Sequence, residues 1–273
     1  MIHLIINADD FGLTQGINAA VVQAHKNGVL TSATLMAGGL AWQEAVKLAR
    51  ETPTLGVGVH LTLSALAPVL PPEEVPSLVD SRGRFRKEFW RAPLWKKDEV
   101  KKEWRAQIAR LLGAGLHPTH LDSHHHTHLW PGLTGLVSEL AAEFGIPALR
   151  AFGPDSLRLM GIGKLTLESP IVAASWRRVQ KISQAKPTTV AAMEALPGTY
   201  QGLFRYLSQL GPGVHELYSH PGRAKDHDLT GISSLTDKRA VELEILCSDW
   251  LRQVLQEFRV ELSSYKIFSE ERV

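Results

Sequence analysis

Cysteine is almost absent. The single one, Cys247 in 273 residues, excludes an intramolecular disulfide framework and any cysteine-rich zinc site. Within the helical-looking stretch 242–255 it reads as a buried structural thiol rather than a nucleophile. Charge of one sign is lacking too. The 30 basic and 28 acidic residues leave a net +2, which gives no electrostatic basis for nucleic-acid binding. The pI near 8.7 reflects only that small imbalance. No run approaches the ~18 apolar residues of a membrane span. The opening Met1-Ile2-His3-Leu4-Ile5-Ile6 lacks the basic region, apolar core and cleavage site of a secretory signal, so a soluble, cytoplasmic protein is expected. Gly-x-Gly-x-x-Gly and Walker patterns are missing, which leaves nucleotide use unsupported. Gly-x-Ser-x-Gly is missing as well, which weakens a serine hydrolase reading.

What is there is globular: 44% hydrophobic and 21% charged residues, with a mean hydropathy of −0.07. The first half alternates strand-like and helix-like segments. Apolar residues 2–8 precede a helix capped by Thr14 and running to about Asn27, with Ile17, Ala20, Val21 and Ala24 on one stripe. Strands are expected at 31–37, 55–63, 118–123, 146–151, 214–220 and 262–268, and helices at 42–50, 98–112, 132–144 and 237–258. Residues 64–95 carry many prolines and no sustained period. A loop of that length is usually functional or mobile. Residues 153–198 give no clear order, and their basic Trp176-Arg177-Arg178 reads as a solvated helix face or a contact surface. With no repeat and no linker, one domain over 1–273 is expected. Repeated βα units imply a parallel sheet under helical cover, an α/β fold that is open or closed into a barrel. In such folds ligands sit at the carboxyl ends of the strands.

The chemistry gathers at those ends. Asn7-Ala8-Asp9-Asp10-Phe11-Gly12 puts two adjacent carboxylates where an apolar run stops. Two neighbouring acids repel unless a cation or a shared proton intervenes. Gly58-Val59-His60-Leu61 and His120-Leu121-Asp122-Ser123-His124-His125-His126-Thr127-His128 also end apolar runs in ligand-type residues. Two imidazoles and one carboxylate suit zinc or a related divalent ion and leave positions open for water and substrate. Such an ion lowers the pKa of water and polarises a carbonyl, as amide or ester hydrolysis requires. A second carboxylate can take the water's proton, so the Asp9-Asp10 pair supplies one residue for each job. On an extended strand, His120, Asp122, His124 and His126 share one side while His125 points to the other. At most one or two of them then reach the same ion as Asp10 and His60. Asp122 fits a carboxylate that orients an imidazole. The alternative is a His-rich surface tract that binds metal adventitiously. His220, before Pro221 and Gly222, reads either as a general acid or as a polar strand-end residue. Trp90, Trp95 and Trp130 lie near the candidate site in sequence and could stack on sugars, although large aromatics more often fill cores.

These motifs, with the stretch Gly28–Thr34 and Glu216-Leu217-Tyr218-Ser219-His220-Pro221, resemble the YdjC-like carbohydrate deacetylases. That group includes chitooligosaccharide deacetylase and the hopanoid-biosynthesis-associated HpnK branch. The resemblance runs from residue 2 to about 150 and resumes at 216–222. Pro68-Val69-Leu70-Pro71 and Ser77–Phe85 look closer to the hopanoid branch, and the histidine tract closer to the chitooligosaccharide branch. The resemblance implies a (β/α) barrel related to polysaccharide deacetylases. It also implies one divalent ion, zinc or magnesium, held by Asp10, His60 and His124, with His125 as the rival of His124. Asp9 becomes the base and His220 the acid, with Asp122, His125 and His126 as substrate-facing or supporting residues.

The expected activity is metal-dependent removal of acetyl from an N-acetylglucosamine-type oligosaccharide or glycoconjugate, a hopanoid glycolipid included. The alternatives are a metallohydrolase of another ester, phosphoester or amide, and a catalytically silent metal- or sugar-binding protein. Expected partners are a small N-acetylated sugar or glycoconjugate, with no nucleic acid and no stable membrane insertion; a homodimer stays open.

Overall fold

The computed structural model describes residues 1–86, 95–130, 132–153, 156, 184–196, 198–229, 231–233 and 235–270. Eight parallel strands form one sheet: β1 (Ile2–Phe11), β2 (Ser32–Leu35), β3 (Gly56–Leu61), β4 (His120–Ser123), β5 (Ala148–Leu149), β6 (Thr189–Ala192), β7 (Gly213–Ser219) and β8 (Val260–Ser263). Their order is β5-β4-β3-β2-β1-β7-β6, with β8 also pairing β1. An isolated parallel bridge joins Ala148 to Ala185, just ahead of β6. The two ends of the order approach each other there, and the sheet curls into an α/β half-barrel. Helices cover it outside: α1 (Gln15–Asn27), α2 (Trp42–Glu51), α3 (Lys97–Gly113), α4 (Thr134–Glu143), α5 (Thr199–Ser208), α6 (Asp237–Leu246), α7 (Asp249–Glu257) and a short α8 (Ile267–Glu270).

Strands β2, β3 and β4 are buried along their whole length. This is the signature of a parallel sheet covered on both faces. The Thr14 hydroxyl caps α1 by accepting from the Ile17 N–H at 3.2 Å, and the stripe Ile17, Ala20, Val21 and Ala24 is buried as its spacing predicts. Gly58 is required on β3, because a Cβ there would stand 2.6 Å from the His120 ring.

Three expectations are corrected. The helix expected over 237–258 is two helices, because Ser248 starts a new one by accepting from the Leu251 N–H at 3.2 Å; Cys247 sits half-buried at the break. A local cap outweighs a continuous amphipathic pattern there. The last strand ends at Ser263, since Tyr265 turns inward to donate its hydroxyl to Glu216 at 2.6 Å. Order also exists in the stretch without a pattern, as β6 and the turn Met193–Ala195. Most of the insertion expected at 153–198, with Trp176, and Trp90 in the long loop lie outside the described residues.

Residues 64–86 of the long loop are pinned from α3. Glu103 accepts from the N–H groups of Val69 and Leu70 at 2.8 and 3.0 Å. Glu99 accepts from Ser77 N–H at 2.6 Å, and Gln107 both donates to and accepts from the Thr62 backbone. These side chains are four residues apart, one stripe of the helix. Among the described residues, no helix is long and apolar enough to cross a membrane.

Glu103→Ala strands two loop N–H groups and one N–H of the Gln107 amide without an acceptor. It is expected to lower stability by about 1–3 kcal/mol and to open residues 64–86 to proteolysis and hydrogen exchange. Unchanged exchange protection across that loop would refute the pinning.

Candidate active site

Alternation along a strand would send Asp9 and Asp10 to opposite faces. They escape it through a β-bulge. Against β2, Ala8 pairs Ala33 but Phe11 pairs Leu35, so β1 carries one extra residue. Asp10 absorbs it with a left-handed φ of 65°, uncommon for a non-glycine residue and a mark of functional strain. Both carboxylates then line one cleft of about 490 Å³, a size suited to a small-molecule ligand.

Around Asp10 stand His60 and His124. Asp10 Oδ1 lies 3.5 Å from His60 Nε2 and 3.2 Å from His124 Nδ1. One ligand atom from each residue falls within 4.8 Å of the others. Asp10 Oδ2 is occupied by Arg239 at 2.6 Å, whereas its buried Oδ1 has no hydrogen-bond partner among the described residues. An orphaned buried carboxylate oxygen is expensive unless something binds it. His60 Nδ1 lies 2.7 Å from Asp122, which assigns the proton to Nδ1 and leaves the Nε2 lone pair facing Asp10. Burial alone would lower the His60 pKa, but Asp122, then Asp9 and Asp10, outweigh it and raise it. Burial would likewise raise Asp10, yet Arg239 and the two histidines hold it well below the ordinary range. One carboxylate and two imidazoles in this arrangement fit a divalent ion.

Behind them lies a buried charge network. Arg150, directly after β5, makes four hydrogen bonds and one further ion-pair contact. Two go to Asp9, both at 2.7 Å, and two to Glu216 Oε1 at 3.0 and 2.7 Å. The remaining contact is Asp122 Oδ2 at 2.8 Å. Thr34 also donates to Asp122, at 3.0 Å. Burial raises the Glu216 pKa despite Arg150.

On the far side of Asp9 stands His220. Its Nε2 is 3.9 Å from Asp9 Oδ2 and its Nδ1 is 3.3 Å from Glu194 Oε2. Burial would depress its pKa, but Glu194, then Asp9 and Asp10, lift it to about 9.

The histidine tract does not continue the strand. β4 stops at Ser123, and His125 and His126 adopt left-handed φ values of 55° and 51°. The alternation expected for His120 to His126 therefore fails after Ser123. His124, His125 and His126 all line the cleft. His124 faces Asp10, His125 Nδ1 meets Ser64 Oγ at 2.9 Å, and His126 Nε2 meets the Tyr218 hydroxyl at 3.2 Å. His120 is buried and stacked on Tyr265 with centroids 3.5 Å apart. No described tryptophan lines the cleft; Trp95 and Trp104 are core residues. Sequence reasoning assigns no role to Arg150, Arg239, Glu194 or Glu242. Arg150 occupies the same strand-end position as the other site residues, a usable signal. Arg239 and Glu242 look like solvated charges on an amphipathic helix, and Glu194 lies where no pattern is visible.

Arg150→Met leaves three buried carboxylates without their cation. It is expected to lower stability by about 3–5 kcal/mol. The deficit should shrink on acidification, because uncompensated carboxylates have raised folded-state pKa values and regain stability as they protonate. Thermal denaturation of both proteins across pH checks this; a deficit independent of pH would sink the charge argument.

A model of the family described as YdjC-like protein matches residues 3–257. The carbohydrate deacetylase of Brevibacillus brevis is 35% identical over 266 residues, covering 96% of this chain and 98% of its own. That of Vibrio parahaemolyticus is 34% identical over 266 residues, covering 96% and 94%. The crystal structure of an Enterococcus faecalis protein, provisionally named for cellobiose-phosphate cleavage, superposes with a TM-score of 0.83 at 32% identity, covering 97% of this chain and 98% of that one. With nearly its whole length matched in sequence and in fold, this chain belongs to the YdjC-like family.

Proposed function

We propose that the chain is a metal-dependent hydrolase that removes acetyl from an N-acetylated sugar of the N-acetylglucosamine type. The observation that carries this reading is the Asp10–His60–His124 group, with Asp10 Oδ1 turned towards the two histidines, in one cleft with Asp9 and His220. The name shared by the Brevibacillus and Vibrio relatives supports it. Asp10, His60 and His124 would hold one divalent ion, and the two imidazoles favour zinc or another transition ion over magnesium. His124 is preferred to His125, whose Nδ1 is engaged by Ser64.

A divalent ion bound there would lower the pKa of water and polarise an amide carbonyl. The remaining steps fall to the chain. Asp9 accepts the water's proton, through the lone pair of Oδ2 left over from its contact with Arg150. Arg150 and Asn7 hold that carboxylate in place. His220, charged at neutral pH, donates the Nε2 proton to the departing amine while Glu194 holds Nδ1. Pinned residues 64–86 supply Ser64, Leu66 and Phe85 to the lining of the cleft, which Tyr218 also lines.

Acetate release from N-acetylglucosamine and diacetylchitobiose, by metal-loaded and chelator-stripped protein, tests the reading. Metal-dependent acetate from either is expected; none from metal-loaded protein would overturn it. Asp10→Asn should lose metal and activity together. Asp9→Asn should keep metal and lose about 10²–10⁴-fold in kcat.

The alkaline limb of the pH–rate profile should follow the loss of the His220 proton. Glu194→Gln should then move that limb towards the ordinary histidine value of 6.5. A limb that stays put would exclude His220 as the acid.

A further inference from the structure

A second constellation lies beside the first, and nothing in the reaction above uses all of it. Glu194 stands on the turn Met193–Ala195 after β6, His220 follows β7, and Glu242 projects from α6. One oxygen or ring nitrogen from each lies within 4.8 Å of the others. Glu194 Oε2 is 3.3 Å from His220 Nδ1. Glu242 Oε2 accepts from the His220 backbone N–H at 2.6 Å. Glu242 is buried, while Glu194 keeps 25% of its side chain exposed. Glu194 and His220 both line the cleft, so the group opens onto solvent.

Two carboxylates brought this close need a proton or a cation between them. In the metal-free chain protons fill that role. Burial, with Glu194 nearby, pushes the Glu242 carboxyl up to about 7, and the His220 ring holds its proton against the burial that would remove it. Metal ions compete with protons for such lone pairs. One nitrogen and two carboxylate oxygens suit zinc and its transition-metal neighbours better than magnesium.

The geometry points to a second divalent-cation site formed by Glu194, His220 and Glu242, weaker than the first and inhibitory. It is weaker because binding displaces protons and because one Glu242 oxygen is already committed to a backbone N–H. It is inhibitory because an ion on Nδ1 sends the Nδ1 proton to solvent. His220 is then a metal-bound imidazole rather than an imidazolium, and a far poorer proton donor to the leaving amine. The inhibitory consequence rests on the deacetylase reading; the binding of the ion does not.

Zinc titration of the chelator-stripped full chain by calorimetry, with zinc counted after equilibrium dialysis, tests this. Two classes of site are expected. Asp10→Asn should weaken only the tight class, and Glu194→Gln only the weak class, each by at least about tenfold. Glu242→Gln, whose amide oxygen can still accept the His220 N–H, provides a second variant against the weak class. Acetate release should fall as the weak class fills and recover when zinc is buffered back to one equivalent. A single class of site at saturating zinc would overturn the proposal, and so would a second class untouched by both glutamine variants, which would implicate the histidine tract instead. Weak binding without loss of acetate release would overturn the inhibitory role. A protein that releases no acetate at all would undo the deacetylase reading, while calorimetry would still decide the site.

Discussion

The site depends on one guanidinium. Arg150 is fully buried and joins carboxylates from β1, β4 and β7, three strands far apart in sequence. Removing that much charge from water would cost many kilocalories per mole unless every charge met an opposite partner and every N–H an acceptor. One guanidinium cannot neutralise three carboxylates, and burial still raises the Glu216 pKa, but its rigid fork reaches all three, which a lysine ammonium with three donors could not match. The burial of Asp9, Asp122 and Glu216 is therefore a single event. Its geometric result is that Asp122 is fixed against His60 and Asp9 is fixed facing His220. Tyr265 closes the set by taking the other Glu216 oxygen, which is why the chain turns inward after β8 instead of continuing as strand.

A second arginine acts on the other aspartate. Arg239 occupies Oδ2 of Asp10 and leaves Oδ1 for the two histidines. The adjacent acids, both buried, thus have different partners: Asp9 has both oxygens on Arg150, Asp10 one oxygen on Arg239 and the other towards the two histidines. The bulge in β1 makes this possible, since a regular strand would put one of them on the helix-facing side. The left-handed Asp10 backbone is the strain that accompanies that choice. Wherever two neighbouring site residues must face one cavity from one strand, an extra residue of this kind is the simplest solution.

Much of this was legible in the sequence, and what escaped did so for physical reasons. Strand ends rich in His and Asp are visible because strands read as apolar runs and a sheet collects their carboxyl ends. Asp10, His60 and His124 could be named from that logic together with the family resemblance. The orientation of the histidine tract could not, because it rests on the two left-handed residues His125 and His126, and histidine carries no strong signal for that conformation. Partners from helices were hidden as well. Arg239 and Glu242 alternate with Leu243 and Leu246 as surface charges do, and only the three-dimensional packing of α6 against the strand ends turns them inward. The break at Ser248 shows the same limit, since periodicity continues through a helix end that a single hydroxyl enforces.

Dependence on long-range pairing has a consequence for how the candidate metal residues form. His60 is oriented by Asp122, Asp122 is held by Arg150, and Arg150 also grips Asp9, the neighbour of Asp10 on β1. None of these contacts is local, so none exists in an unfolded chain. The ligand geometry arises with the fold rather than ahead of it, and an ion that prefers the folded arrangement stabilises the whole half-barrel by the free energy of its own binding. The pinned loop belongs to the same economy of positions. Three polar side chains of α3 hold the backbone of that loop, and its buried Val75, Leu78 and Phe85 anchor it in the core. A polar cleft held open by buried hydrogen bonds favours a hydrated, hydroxyl-rich ligand over an apolar one, because its walls offer partners for groups that an apolar pocket would leave unsatisfied.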